Sequence, residues 1–219
     1  MEKLPKALLQ QMASLITTEE KNEMAIPSYL HKNPLMRWMV YSRVKGLWQW
    51  MMFHQHPGMN ILDYGCGTGV LLPSASAIAE KVYGVDIVLT PAKLLIQHSN
   101  LLNVNLITPD EMLVTIEAMS IDVILCGEVL EHIQDLGSTL NQFLKLMKKT
   151  AHLLVSIPTE NTLYKLGRKL AGFTGEYHLW SSSSINKKIL GAGFKQNRIK
   201  KIPFWDPFAI YWLIDYTIE

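Results

Sequence analysis

Residues 60–70 read Asn60-Ile61-Leu62-Asp63-Tyr64-Gly65-Cys66-Gly67-Thr68-Gly69-Val70, a short apolar run closed by an acid and followed by three alternate glycines. Asn60–Asp63 is predicted as a strand and Val70–Glu80 as the helix after it. Glycines at such a turn permit positive φ and let a ligand lie against bare backbone at the helix start. A dinucleotide fingerprint, G-x-G-x-x-G, needs glycine at position 70, and that position holds Val70. The G-x-G-x-G spacing therefore argues against a nicotinamide-dependent dehydrogenase.

Outward from the glycines, the next apolar run ends in Val82-Tyr83-Gly84-Val85-Asp86, which puts a carboxylate 17 residues beyond Gly69. An acid at the end of the second strand can accept both hydroxyls of a ribose. A helix cap or a loop acid is the plainer role for the same residue. Val104–Thr108, Ile121–Cys126 and Ala151–Ile157 read as strands three to five, with helices at Pro91–Asn100, Asp110–Met119 and Ser138–Lys149 between them. Phe194–Ile202 reads as strand six, and Phe208–Tyr216 as either an antiparallel strand seven or an apolar helix. Strands alternating with helices at this spacing predict an α/β fold: a doubly wound, Rossmann-like, mostly parallel seven-stranded sheet with helices on both faces. Ligands of such sheets sit outside the carboxyl ends of the strands, so the chemistry is expected just after strands one, two and four.

The flanks have a different pattern. Leu4, Leu8, Leu9, Met12, Leu15 and Ile16 follow a helical period, and Asn33-Pro34 opens a second helix to about Gln55. That helix is rich in Trp and Met, which suits packing on the domain, or a lid or membrane-interface element. A single domain over residues 1–219 is expected, comprising a helical cap (1–56), a ligand-binding core (57–160) and an insert with the last sheet elements (161–219).

Composition narrows the class. Hydrophobic residues make up 48% and charged residues 18%, enough for a real core and contrary to disorder. A net charge of +2 excludes a chain whose whole surface attracts polyanions. Between Lys145 and Lys201, however, twelve Lys and Arg face only two acids, Glu160 and Glu176. This stretch is expected to be a solvated face, or a contact for an anionic substrate or membrane surface. Two cysteines, Cys66 and Cys126, make neither a disulfide framework nor a cysteine zinc site, and a reducing compartment fits them best. With no signal peptide and no apolar stretch of about 18 residues, the expectation is a cytoplasmic protein, at most peripheral to a membrane.

Taken together, ILDYGCGTGVLL (61–72), VYGVD (82–86) and ILCGEVLEHI (124–133) resemble the motifs of the class I S-adenosylmethionine-dependent methyltransferases, in the family's order. The resemblance covers about residues 57–160. It implies S-adenosylmethionine as cofactor, with Gly65, Gly67 and Gly69 under its amino-acid part, Asp86 on its ribose and backbone near Gly127 beside its methionyl group. Asp63, Cys66 and Ile87 complete the expected cofactor-binding set, and Pro109, Asp110 and Glu111 are candidates for the adenine. Arg43, on the second helix, is a candidate partner for the cofactor carboxylate, as the similar O-methyltransferases of ubiquinone biosynthesis place an arginine in that region; Arg37 competes for the role.

The segment after strand four is most similar to the O-methyltransferases of ubiquinone biosynthesis, whose E-x-x-E-H sequence is associated with a divalent cation. If a helix begins at Glu128, then Glu128, Glu131 and His132 share one face and would suit Mg²⁺. Many class I members carry E-V-L-E-H without a metal, with the same residues as caps or substrate-orienting groups. His132 is the expected catalytic base in either case. His178, in Glu176-Tyr177-His178-Leu179-Trp180, is a second catalytic candidate because a Thr-His stretch sits at a similar place in the quinone enzymes. The expected reaction is methyl transfer to a small-molecule acceptor, through oxygen, on an apolar, lipid-like or anionic metabolite. An RNA-modifying enzyme, with the basic stretch as its phosphate track, and a non-catalytic cofactor-binding protein are the alternatives.

Overall fold

The computed structural model describes residues 3–159, 161, 179–206 and 208–219. Its centre is a seven-stranded sheet made of β1 (Asn60–Tyr64), β2 (Lys81–Val85), β3 (Val104–Ile107), β4 (Ile121–Gly127), β5 (Met147–Pro158), β6 (Phe194–Ile202) and β7 (Tyr211–Ile218). The spatial order is β3-β2-β1-β4-β5-β7-β6. β1 to β5 run parallel, whereas β7 is antiparallel to both β5 and β6. The order reverses between β1 and β4, so the crevice at their carboxyl ends is the place where such a sheet binds ligands.

Burial on both faces explains why the central strands read as continuous apolar runs. Ile61, Val123, Leu125, Leu154 and Leu213 point to one face, where they meet α4 (Pro34–Phe53), α5 (Leu72–Ser76) and α6 (Thr90–Ser99). Leu62, Ile124, Leu153, Val155 and Ile214 point to the other, beneath α7 (Met112–Thr115), α8 (Leu136–Leu146) and the late helix Ser182–Gly191. α8 has an Asp135 cap that accepts from Ser138 N at 3.0 Å, and it buries Leu136, Leu140, Phe143 and Leu146. Each of those side chains contributes about 1.5–3 kcal/mol of burial.

α4 starts where the sequence puts it, with the Asn33 side chain accepting from Leu35 N at 2.9 Å and Pro34 in the first turn. It lies so close to β7 that a Cβ at Gly46 would stand 2.1 Å from Leu213 Cδ1. Ahead of it, α1 (Lys6–Ser14), α2 (Thr18–Glu23) and α3 (Ile26–Tyr29) lead across the top of the domain. Leu8, Leu9, Met12, Ile26 and Tyr29 pack there on Tyr41 of α4 and Leu95 of α6.

Several boundaries differ from the sequence reading. The helix after β1 covers only Leu72–Ser76, because the chain turns early and Glu80 N already donates to Met59 O at 2.8 Å beside the sheet. β5 begins at Met147 rather than Ala151, pairing Met147 with Ile121 before an irregularity in the ladder. The last segment is a strand, with its buried Tyr211, Leu213, Ile214 and Tyr216 held between β5 and β6. β6, at the sheet edge, carries exposed Lys195, Arg198 and Lys200, and a charged edge discourages pairing with another chain. Among the described residues, no helix is long and apolar enough to cross a membrane.

Candidate active site

The glycine turn leaves β1 and folds back under β2. Gly65 and Cys66 both donate to Val85 O, at 2.8 and 3.1 Å, which brings the turn against the end of β2. Gly65, Gly67 and Gly69 stand at φ 75°, 51° and 75°, the left-handed region that L side chains rarely adopt. Asp86 closes the turn: its Oδ2 accepts from Gly67 N at 2.7 Å and its Oδ1 from Val88 N at 3.1 Å. Burial pushes the Asp86 carboxyl up, and these backbone donors pull it partly back. Asp63, fully inside the wall, is pushed up to about 7 by burial and then by the charge of Asp86.

Above this turn lies a cavity of about 380 Å³, within the size range of ligand pockets. Its floor is the glycine turn with Asp63, Asp86 and Ile87, and its far side is Gly127, Glu128 and His132 after β4. Met24, Ala25, Tyr29 and Arg43 close it from the N-terminal helices. Sequence reasoning missed Met24, Ala25 and Tyr29, since nothing local in a short helical segment says which surface it will cover. Two of the non-glycine residues at positive φ, Ala25 (54°) and Glu128 (56°), line this cavity, and strained backbone of that kind collects at functional sites.

A methyltransferase domain family matches residues 31–215, most of the chain and all of the cavity's sheet residues. The chain belongs to the class I S-adenosylmethionine-dependent methyltransferases. A ubiquinone biosynthesis O-methyltransferase from Acinetobacter baumannii is 31% identical over 84% of this chain and 80% of its own length. Another, from Hahella chejuensis, is 33% identical, but that match takes in 48% of this chain and 45% of the relative. For that relative the matched part is therefore less than half of the whole protein. Among solved structures, magnesium protoporphyrin IX methyltransferase from Synechocystis PCC 6803, with bound S-adenosylhomocysteine, superposes with a TM-score of 0.66. It covers 98% of this chain and 100% of its own at 17% identity, a likeness of fold.

The residues present fit the methyltransferase cofactor. Bare backbone at the glycine turn leaves room for the amino-acid part, and the half-buried Asp86 stands at the mouth of β2 where a ribose would lie. Pro109 also lines the cavity, whereas Glu111 is engaged as a capping box, its Oε2 accepting from Thr108 N at 2.7 Å. Of the two arginines, Arg43 faces the cavity, while Arg37 is turned to the carbonyls of His31 and Lys32 at the start of α4.

The residues do not fit Mg²⁺ in the predicted way. The expected helix at Glu128 is absent; Glu128 is left-handed and only a 3₁₀ turn, Leu130–His132, follows. Glu128 Oε1 lies 2.8 Å from Arg43 Nε, and Glu131 is wholly buried. Without an α-helix from Glu128, the helical i, i+3, i+4 face on which the metal reading rested is not built. Among the described residues, the one trio of His, Cys, Asp and Glu with ligand atoms all within 4.8 Å of one another is elsewhere, at His54, His152 and Asp215. His178 and the basic helix expected near Tyr164 lie outside the described residues.

Proposed function

We propose that this methyltransferase acts on the hydroxyl oxygen of a small, apolar or lipid-like acceptor, with His132 as the general base. The observation that carries the reading is that His132 is the one imidazole among the described residues lining the cavity. Two phenols also come near, but burial pushes Tyr29 and Tyr211 up, so at neutral pH they are donors rather than bases. When bound, S-adenosylmethionine supplies a methyl group on a sulfonium, open to in-line displacement. His132 would take the acceptor's hydroxyl proton as the oxygen accepts that methyl group and the sulfur leaves as a neutral thioether. A phenol titrates near 10, so at neutral pH a base at this position helps directly. The glycine turn and Asp86 hold the cofactor, Arg43 is placed for its carboxylate, and Met24, Ala25 and Tyr29 keep water from the reacting atoms.

The name of the Acinetobacter relative supports an oxygen acceptor on a quinone-type ring, and the apolar wall of Val44, Leu47 and Leu71 supports an apolar one. His178 is a second proposed catalytic residue. The deciding experiment is methyl transfer from labelled S-adenosylmethionine to a panel of prenylated phenols, catechols, soluble amines and RNA, followed by mass spectrometry. Transfer to a prenylated phenol or catechol, lost in His132→Gln with S-adenosylhomocysteine binding retained, is the expected result. Transfer confined to amines or RNA would overturn the reading.

A further inference from the structure

The buried stripe of α4 runs Val44, Leu47, Met51 and then arrives at His54, the residue that ends the helix. This continues the helical period onto the sheet, so His54 meets the same sheet face as Leu154 and Leu213. On that face, His152 of β5 and Asp215 of β7 are diagonal neighbours, since Leu154 pairs with Asp215 and His152 with Thr217. Asp215 Oδ1 lies 2.8 Å from His152 Nδ1 and its Oδ2 lies 3.2 Å from His54 Nε2. The two imidazoles stack, with centroids 3.6 Å apart and planes 23° apart.

We propose that His54, His152 and Asp215 form a binding site for a divalent transition ion of the Zn²⁺ type, which ties the end of α4 to β5 and β7. Two imidazoles and a carboxylate are the donor set that such an ion takes, and soft or hard extremes do not suit it. Tetrahedral zinc at its usual bond lengths spaces its ligand atoms about 3.3 Å apart, close to the two spacings in this cluster. Small outward movements of the side chains, or a turn of the carboxylate, make room for the ion. The side chains of His54 and His152 are 11% and 23% exposed, against 2% for Asp215, so water has access to the remaining position. The nearest cation on the adjoining strand, Arg198, pairs in register with Asp215 but stacks on the Phe53 ring at 4.3 Å.

This site is separate from the methyl-transfer cavity. His152 pairs with Val123, four residues before Gly127 on β4, which is about 13 Å along the strand. The ion is accordingly a clamp on the fold, and it leaves cofactor binding alone.

The test is a Zn²⁺ titration of the full chain after chelator treatment and buffer exchange, read by competition with a chromophoric chelator, with a Co²⁺ absorption spectrum in parallel. One equivalent bound, a melting temperature that rises with Zn²⁺, and intense visible Co²⁺ bands are expected. His152→Gln and His54→Gln should each weaken that affinity at least tenfold while S-adenosylhomocysteine binding stays the same. Glu128→Gln should leave the zinc affinity unchanged, which separates this site from the E-x-x-E-H segment. No stoichiometric binding by the folded wild type, or zinc affinity unmoved in a folded His152→Gln protein, would overturn the proposal. Because His152 is partly exposed, that variant is the one to rely on if Asp215→Asn does not fold.

Discussion

Arg43 Nε lies 2.8 Å from Oε1 of Glu128, which joins the middle of α4 to the residue directly after β4. The arginine side chain is 6% exposed and the glutamate side chain 19%, and the guanidinium also faces the Tyr211 ring at 5.7 Å. The pair therefore does two things: it pins the cap helix over the cavity, and it holds Glu128 in a backbone conformation that costs energy.

A buried ion pair loses most when one partner goes, because the other charge is left in a dry place. Arg43→Ala is expected to lower stability by about 3–5 kcal/mol. The double variant Arg43→Ala/Glu128→Gln should lose clearly less than the sum of the two single losses. Urea unfolding of the four proteins checks this, and strictly additive losses would show that the two side chains are not coupled.

Asp86 is the second hinge of the cavity, since one carboxylate bonds both Gly67 N and Val88 N. Asp86→Ala leaves the glycine turn without its brace and, on the proposed binding mode, the cofactor without a ribose partner. Losing charge-assisted bonds of this kind costs about 1.5–3 kcal/mol, so S-adenosylhomocysteine should bind at least tenfold more weakly. Calorimetric titration reads it directly, and Asp86→Asn, which keeps an acceptor, should fall between the two.

The sheet was legible because both its faces are buried: short apolar runs such as Ile61–Leu62 and Val123–Cys126, bounded by turn residues and alternating with helices, read as strands. The glycine turn was equally plain, because left-handed backbone admits few residue types, whereas Asp86 read as either a ribose partner or a loop acid. The segment Glu128–His132 was not. Its i, i+3, i+4 spacing describes a helix, but Gly127 ends a strand and Arg43, 85 residues earlier, draws Glu128 away from the turn. The trio His54, His152 and Asp215 left no pattern at all in the sequence, since it assembles only once α4 crosses β5 and β7. Long-range assembly of single side chains is what a linear reading lacks.

Asp63 sets a pH dependence whose sign follows from its position. In the unfolded chain this carboxyl releases its proton near 3.8, while in the fold it keeps it to about 7. Between those values the folded state holds the extra proton, so this group's contribution to stability is fullest in acid and is lost as pH rises toward 7. Asp63→Asn removes that dependence: the stability gap between wild type and variant should shift in the variant's favour from pH 4 to pH 7.5, as measured by urea unfolding. A cationic ligand favours ionised Asp63, so wild-type affinity for S-adenosylmethionine should rise from pH 6 to pH 8 and be flatter in the variant.

Gly65 is the position where space and backbone both forbid a side chain. A Cβ built there would stand 2.6 Å from both Cβ and Cγ2 of Val129, and the residue is at φ 75°. Gly65→Ala therefore pushes against the segment that carries Glu128 and His132, and it strains its own backbone by about 1 kcal/mol. The expected variant is folded but unstable, with S-adenosylhomocysteine affinity down tenfold or more. Shortening the opposing side chain separates the two effects. Val129→Gly in the Gly65→Ala background removes the Cβ, Cγ2 and Cγ1 contacts but not the φ penalty, so affinity should recover in part and stability less. Full recovery of both would mean that the left-handed conformation is not required there, and no recovery of affinity would mean that the bare backbone itself touches the cofactor.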